Sequence, residues 1–142
     1  MALLDTRETK LSEVLLFEDH KDTGYCRAVV VANEAAPLQY VIGTVLGKVT
    51  ATGKYQRLEA TAVDGSQNFA GIYIGNADVT ANNLNEQTIA ATTDTNVVVL
   101  YRGPAAIGAS NLVFGASVDT APEIAAVVAQ MEAVGIQVLT QQ

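Results

Sequence analysis

Tryptophan is absent from this 142-residue chain, and cysteine and histidine occur once each. With Cys26 alone, no intrachain disulfide can form, and the thiol reads as a small, reduced, partly buried side chain. The single histidine, His20, lies in the charge run Glu18-Asp19-His20-Lys21-Asp22 and lacks the companion ligands and spacing of a zinc site. Aromatic residues make up only 6% of the chain, which argues against the stacking platforms of a sugar cleft. The eight Lys and Arg residues are scattered, no two adjacent, and the net charge is −7. A nucleic-acid binder needs clustered cations to neutralise phosphates, and an anionic membrane surface attracts the same clusters, so neither partner is expected. No apolar run approaches the roughly 18 residues of a membrane span. Met1 to Glu18 lacks the basic-then-apolar pattern of a secretory signal.

Charged residues are also scarce, at 16% against roughly 25% in an average soluble domain. Ala, Thr, Asn and Gly stand where surface charge would be. This fits extensive protein–protein contact, or else a compact Ala/Thr-rich β domain. The length predicts one domain with a real core, burying about 68–70% of the unfolded surface.

Residues 1–12 are mixed and polar and read as an arm, with Leu3 and Leu4 as apolar exceptions. Val14 to Glu18 reads as a short strand or turn, Asp19 to Gly24 as a loop, and Tyr25 to Ala32 as a strand. Beyond Leu38, strands are expected near 39–50, 54–64, 69–74, 87–91, 96–102 and 111–114. Turn signals separate them at Ala51-Thr52-Gly53, Asp64-Gly65-Ser66, Gly75-Asn76 and Asn82-Asn83. Asp-Gly between apolar stretches is a hairpin signal. Val97 to Leu100 is continuously apolar, as in a strand covered on both faces. Within Val41 to Tyr55, the β-branched Val41, Thr44, Val45 and Val49 suit a pleated surface. Gly43, Gly47 and Gly53 mark bends, bulges or close backbone approach, so they read as structural glycines. One helix is predicted over Pro122 to Ala133. Asp119 or Thr120 caps it, Glu123 complements its dipole, and Ile124, Val127, Val128 and Met131 share one face. Gly135 ends the helix and Ile136 to Leu139 returns as a strand. The fold class is α+β: a β-rich single domain of short strands, one C-terminal helix and an extended N-terminal arm.

Chemistry finds little purchase. No Gly-x-Ser-x-Gly elbow is present, and Ser12, Ser66, Ser110 and Ser117 have ordinary turn or cap readings. Gly47 to Lys54 superficially matches a phosphate loop. However, five residues separate its glycines, and Tyr55 replaces the magnesium-binding hydroxyl. Glu59 with Asp64, or Asp78 with Asp94, are the carboxylate pairs that space could bring together. The Asn/Asp-rich stretch near 76–85 lacks the calcium-loop pattern and reads as turns.

Four segments carry a resemblance. They are Lys10-Leu11-Ser12-Glu13-Val14-Leu15-Leu16-Phe17-Glu18, the block from Val41 to Tyr55 (VIGTVLGKVTATGKY), Val99-Leu100-Tyr101-Arg102-Gly103-Pro104, and Ala133-Val134-Gly135-Ile136-Gln137-Val138. In this order the set resembles the lambda-type head decoration proteins of tailed bacteriophages. One departure is Gly24-Tyr25-Cys26-Arg27, where the family often carries Ser-Arg. The resemblance implies a structural virion protein, not an enzyme, with no cofactor, metal or small-molecule substrate. It implies homotrimers on the outer surface of the expanded capsid, at three-fold and quasi-three-fold positions. There they would stabilise the head against internal DNA pressure. It further implies synthesis in the host bacterial cytoplasm and the major capsid protein as partner. On that reading residues 1–16 form a capsid-binding arm using Leu3, Leu4, Arg7, Lys10, Leu11 and Val14, and residues 17–142 the decoration domain. The apolar segment from Pro104 to Gly115 is the expected trimer interface, through Pro104, Ile107, Leu112 and Phe114. A tail-tube or baseplate β module is the alternative, and a small hydrolase a more distant one.

Overall fold

The computed structural model describes residues 15–18, 26–77, 86–109, 112–115 and 117–139. The capsid-binding candidates Leu3, Leu4, Arg7, Lys10, Leu11 and Val14 lie outside the described residues. So do His20, Asp78, Ser12, Ser110, the 19–24 loop and the Asn82-Asn83 turn.

Among the described residues, ten short strands and one helix follow in chain order. They are β1 (Leu15–Glu18), β2 (Arg27–Ala32), β3 (Leu38–Tyr40), β4 (Val45–Lys48), β5 (Tyr55–Arg57), β6 (Phe69–Asn76), β7 (Gln87–Ile89), β8 (Thr95–Leu100), β9 (Ala105–Gly108), α1 (Ala121–Ala133) and β10 (Ile136–Leu139). Strands β2-β5-β4-β6-β8 close into a barrel, β1-β9-β10 form a three-stranded sheet, and β3 pairs with β7 in an antiparallel ribbon. The β2–β8 pair is the longest register, from Arg27↔Leu100 to Ala32↔Thr95. Parallel pairing of Ala32 with Tyr55, extended by Asn33 N donating to Tyr55 O at 2.9 Å, completes the closure.

Alternation along the barrel strands builds two cores. Tyr73, Val97, Val99, Leu46 and Ala32 join Tyr40, Ile42 and Ile89 in one cluster. Within it Tyr40 and Tyr73 meet edge to face, centroids 5.5 Å apart. The intervening residues Ile72, Ile74 and Leu100 turn to a second cluster. It is completed by Val127 and Met131 of α1, Ile107 of β9 and Ile136 of β10. Val97 to Leu100 is therefore covered on both faces, as its continuous apolarity predicts.

The helix forms where its local signals place it. Thr120 caps it and accepts from Glu123 N at 3.4 Å, while the Glu123 carboxylate accepts from Thr120 N at 3.2 Å, a complete capping box. Gly135 ends it at φ +92°.

Four strand expectations change. The run 39–50 divides, because 41–44 is a turn in which the Thr44 hydroxyl donates to Val41 O at 2.7 Å and Gly43 sits at φ +105°. The run 54–64 shortens to β5, since its second half is a loop. Of the run 111–114, the described residues 112–114 make a bridge between Thr44 and Val113 in place of a strand. The sequence marks Ala105–Gly108 only as part of an interface segment, yet it forms strand β9. Its Ala-Ala-Ile-Gly sequence has weak strand propensity, but β1 and β10 flank it on both sides. Asp64-Gly65 joins β5 to β6, yet β4 lies between those two strands, so the turn closes no hairpin. Cys26 is wholly buried, its thiol 3.6 Å from Pro104 O.

Candidate assembly surface

The four residues expected at a subunit interface have different fates. Pro104 is exposed at the start of β9. Ile107 is wholly buried within the subunit, so it has no surface to offer a neighbour. Leu112 and Phe114 are half-buried against the cores, and the residue between them, Val113, points outward at 37% exposure. Backbone hydrogen bonds hold this segment along the turn before β4: Val113 N donates to Gly43 O and Val45 N to Val113 O, both at 2.9 Å.

The three structural glycines each have a physical reason. Gly43 and Gly53 (φ +72°) take left-handed backbone in turns. Gly47 is the close approach in β4: a Cβ there would lie 2.0 Å from Ser66 O. At Gly47 the β4–β6 register also shifts, marking a bulge.

Sequence reasoning missed a carboxylate clasp beside Gly115 and Ser117. Glu59 accepts from Ser117 Oγ at 2.5 Å and from Arg57 Nε at 3.1 Å, and Ser117 Oγ accepts from Ala60 N at 2.8 Å. Gly115 sits so close that a Cβ would be 2.4 Å from Glu59 Oε2. Burial raises the Glu59 carboxyl, but hydrogen bonds from Ser117 and Arg57 together hold its pKa below the usual value. Glu59 and Ser117 are 58 positions apart, so no sequence spacing announces the pair. Asp64, the partner considered for Glu59, instead accepts from Ser66 Oγ at 2.6 Å. Asp94 pairs with Lys54 at 2.9 Å and accepts from Asn33 at 2.7 Å, which lowers its pKa.

A second polar knot joins the barrel to its ribbon. The Tyr40 hydroxyl donates to Glu34, whose carboxylate also accepts from Arg57 N at 2.7 Å. Burial, then the bond to Glu34, pushes the Tyr40 phenol far up. These side chains fasten loops to one another. Among the described residues, no group of three or more His, Cys, Asp or Glu is placed to hold a metal. Among the described residues, no helix is long and apolar enough to cross a membrane. A groove of about 230 Å³ between α1 and the 58–68 loop is lined by Leu58, Ala60, Ala126 and Val127 together with Gln67, Asn68, Gln130 and the Glu123 carboxylate.

Fold and site together define a β-barrel module in which Glu34 and Glu59 each tie separate loops together. A family model described as bacteriophage lambda head decoration protein D matches residues 5–136, nearly the whole chain, and the chain belongs to that family. Its role is accordingly that of a structural phage capsid protein associated with the virion head. No curated protein matches the chain.

Proposed function

We propose that this protein decorates the outer surface of the expanded phage capsid as homotrimers at three-fold and quasi-three-fold positions. Bound there, it stabilises the head against the pressure of packaged DNA. The observation that carries the reading is the family match, which runs from residue 5, inside the N-terminal segment, to residue 136 in β10. The physical logic is mass action: a subunit that binds only the expanded lattice stabilises that lattice. Many copies bridging neighbouring capsomers add avidity.

The N-terminal segment leads directly into β1, an outer strand of the β1-β9-β10 sheet among the described residues. Its last two residues, Leu15 and Leu16, belong to β1 itself. Residues 1–14 add a strand to an exposed sheet edge of the major capsid protein, anchored by Leu3, Leu4, Leu11 and Val14, with Arg7 and Lys10 beside them. Pro104, Leu112 and Phe114, with Val113 between the last two, face neighbouring copies. Ile107 supports them from the core.

Purified protein is mixed with expanded, undecorated heads and with unexpanded shells, and co-sedimentation is measured against head concentration. Saturation near three copies per three-fold position, on expanded heads only, is the expected result. Absence of binding to cognate heads refutes the reading. Deleting residues 1–12 leaves the fold intact and abolishes binding. Full occupancy by the truncated protein would remove the arm assignment.

A further inference from the structure

The turn before β6 contains Asp64-Gly65, the one Asp-Gly step in the chain. In a flexible chain this is the dipeptide most prone to isomerise, because glycine has no side chain to hinder attack of its nitrogen on the aspartyl carboxyl. Asp64 is exposed, so solvent reaches it. Yet every group the reaction needs is occupied. The attacking atom, Gly65 N, donates its hydrogen to Gln67 Oε1 at 2.8 Å. The carboxylate under attack accepts from Ser66 Oγ at 2.6 Å and from Ser66 N at 3.1 Å. Those bonds lower the Asp64 pKa and keep it ionised, the form least able to lose an oxygen as water. Thr50 N holds the Asp64 carbonyl at 2.9 Å, fixing the backbone between them.

We propose that Asp64 is a site of spontaneous isoaspartate formation that the folded turn suppresses, with Gln67 as the residue that sets the rate. When the turn opens, Gly65 N attacks Cγ of the protonated Asp64 carboxyl. The amide proton leaves to solvent and the carboxyl oxygen departs as water, closing a cyclic imide. Water then opens the ring at either carbonyl, restoring aspartate or leaving isoaspartate, so no net water is consumed and nothing is oxidised or reduced.

The product cannot return to the native turn. Isoaspartate inserts one methylene into the main chain, and there is no space for it. Ser66 is wholly buried, and its carbonyl lies where a Gly47 Cβ would be, at 2.0 Å. A Cβ on Gly65 would meet Thr50 Oγ1 at 2.2 Å. The lesion therefore displaces the turn from β4, a central strand of the barrel, and so limits the lifetime of the subunit.

The full chain is aged at neutral pH and moderate heat, folded and in denaturant. Isoaspartate at position 64 is measured by digestion with an endoprotease that cuts before aspartate but not isoaspartate, and by isoaspartyl methyltransferase labelling. The expected result is much slower conversion in the folded protein than in denaturant. Gln67→Ala accelerates conversion in the folded state by roughly three- to tenfold, the effect of losing one hydrogen bond on local opening. Gln67→Glu, which keeps an acceptor for Gly65 N, restores the slow rate. Equal rates in folded and denatured wild type overturn the proposal, as does a Gln67→Ala rate equal to wild type. Should Gln67→Ala fail to fold, the folded-against-denatured comparison and Gln67→Glu still decide it: Gln67→Glu converting faster than wild type refutes the role of Gln67.

Discussion

Replacing Gly47 with alanine is the sharpest test of how this barrel is built. The added Cβ would lie 2.0 Å from Ser66 O, 2.6 Å from Ser66 C and 2.8 Å from Ser66 Cα. Favourable heavy-atom contacts sit at about 3.5–4.0 Å, so the two segments must separate by more than ~1 Å. All three obstructing atoms are backbone, so no rotamer change relieves the clash. The turn cannot swing away cheaply either, because two bonds tie it to neighbouring segments: Thr50 N donates to Asp64 O at 2.9 Å and Gln56 Nε2 to Ser66 Oγ at 2.8 Å. Overpacking typically costs about 1–3 kcal/mol. A displaced turn adds the loss of one or two hydrogen bonds at roughly 0.5–1.5 kcal/mol each. The sum is about 1.5–6 kcal/mol with its centre near 3–4, a large part of the roughly 5–15 kcal/mol stability of a domain. The matching fall in Tm is about 10 °C. Gly53→Ala is the control: Gly53 has φ +72° but nothing within 4 Å of a Cβ, so only the left-handed backbone penalty of roughly 1–2 kcal/mol applies. Urea titration followed by circular dichroism measures both, with an unchanged m-value showing that only stability moved. A Gly47→Ala protein within about 1 kcal/mol of wild type, or less affected than Gly53→Ala, refutes the reasoning.

Three further outcomes are expected. Thr92 holds φ +52°, a left-handed conformation unfavourable to a β-branched residue, in an exposed loop. Thr92→Asn raises stability by about 0.5 kcal/mol, and a lowered midpoint in thermal melts contradicts this. Glu59→Gln removes the charge that Ser117 and Arg57 grip, costing about 1–2 kcal/mol at neutral pH. Because the folded pKa of Glu59 lies below its ordinary 4.5, its contribution is present above that value and lost as pH falls through the folded pKa. Wild type should therefore lose more stability than Glu59→Gln on acidification. Asp64, Asp94 and Glu123, also lowered, titrate in both proteins and cancel, so parallel stability curves refute the clasp. Thr120→Ala breaks the capping box and costs about 1 kcal/mol, while Thr120→Ser retains most of it; equal melting of Thr120→Ala and wild type counts against the cap.

What the sequence by itself determined is mostly what depends on near neighbours. The helix is legible because its cap, its first-turn acid and its terminal glycine lie within one or two turns of the residues they serve. The turns at Gly53 and Gly65 are legible because a positive φ leaves glycine as the favoured choice, whereas the turn at Gly43 interrupts what reads as one strand. The two-sided burial of β8 follows from an apolar run too short for a membrane and too β-branched for a helix. The resemblance to the family rests on such local blocks in a fixed order, and the family model matches residues 5–136.

Only the tertiary structure decided the pairings. Nothing local in Ala105–Gly108 announces a strand, because the neighbours that stabilise it, β1 and β10, come from the two ends of the chain. For the same reason Ile107 faces the core, and Asp64-Gly65, an apparent hairpin turn, carries the chain across β4. The Glu59–Ser117 clasp and the Gly47–Ser66 contact join residues far apart in sequence. Their geometry exists only once the barrel has closed, because closure brings backbone segments within van der Waals reach, and spacing along the chain carries no record of that distance.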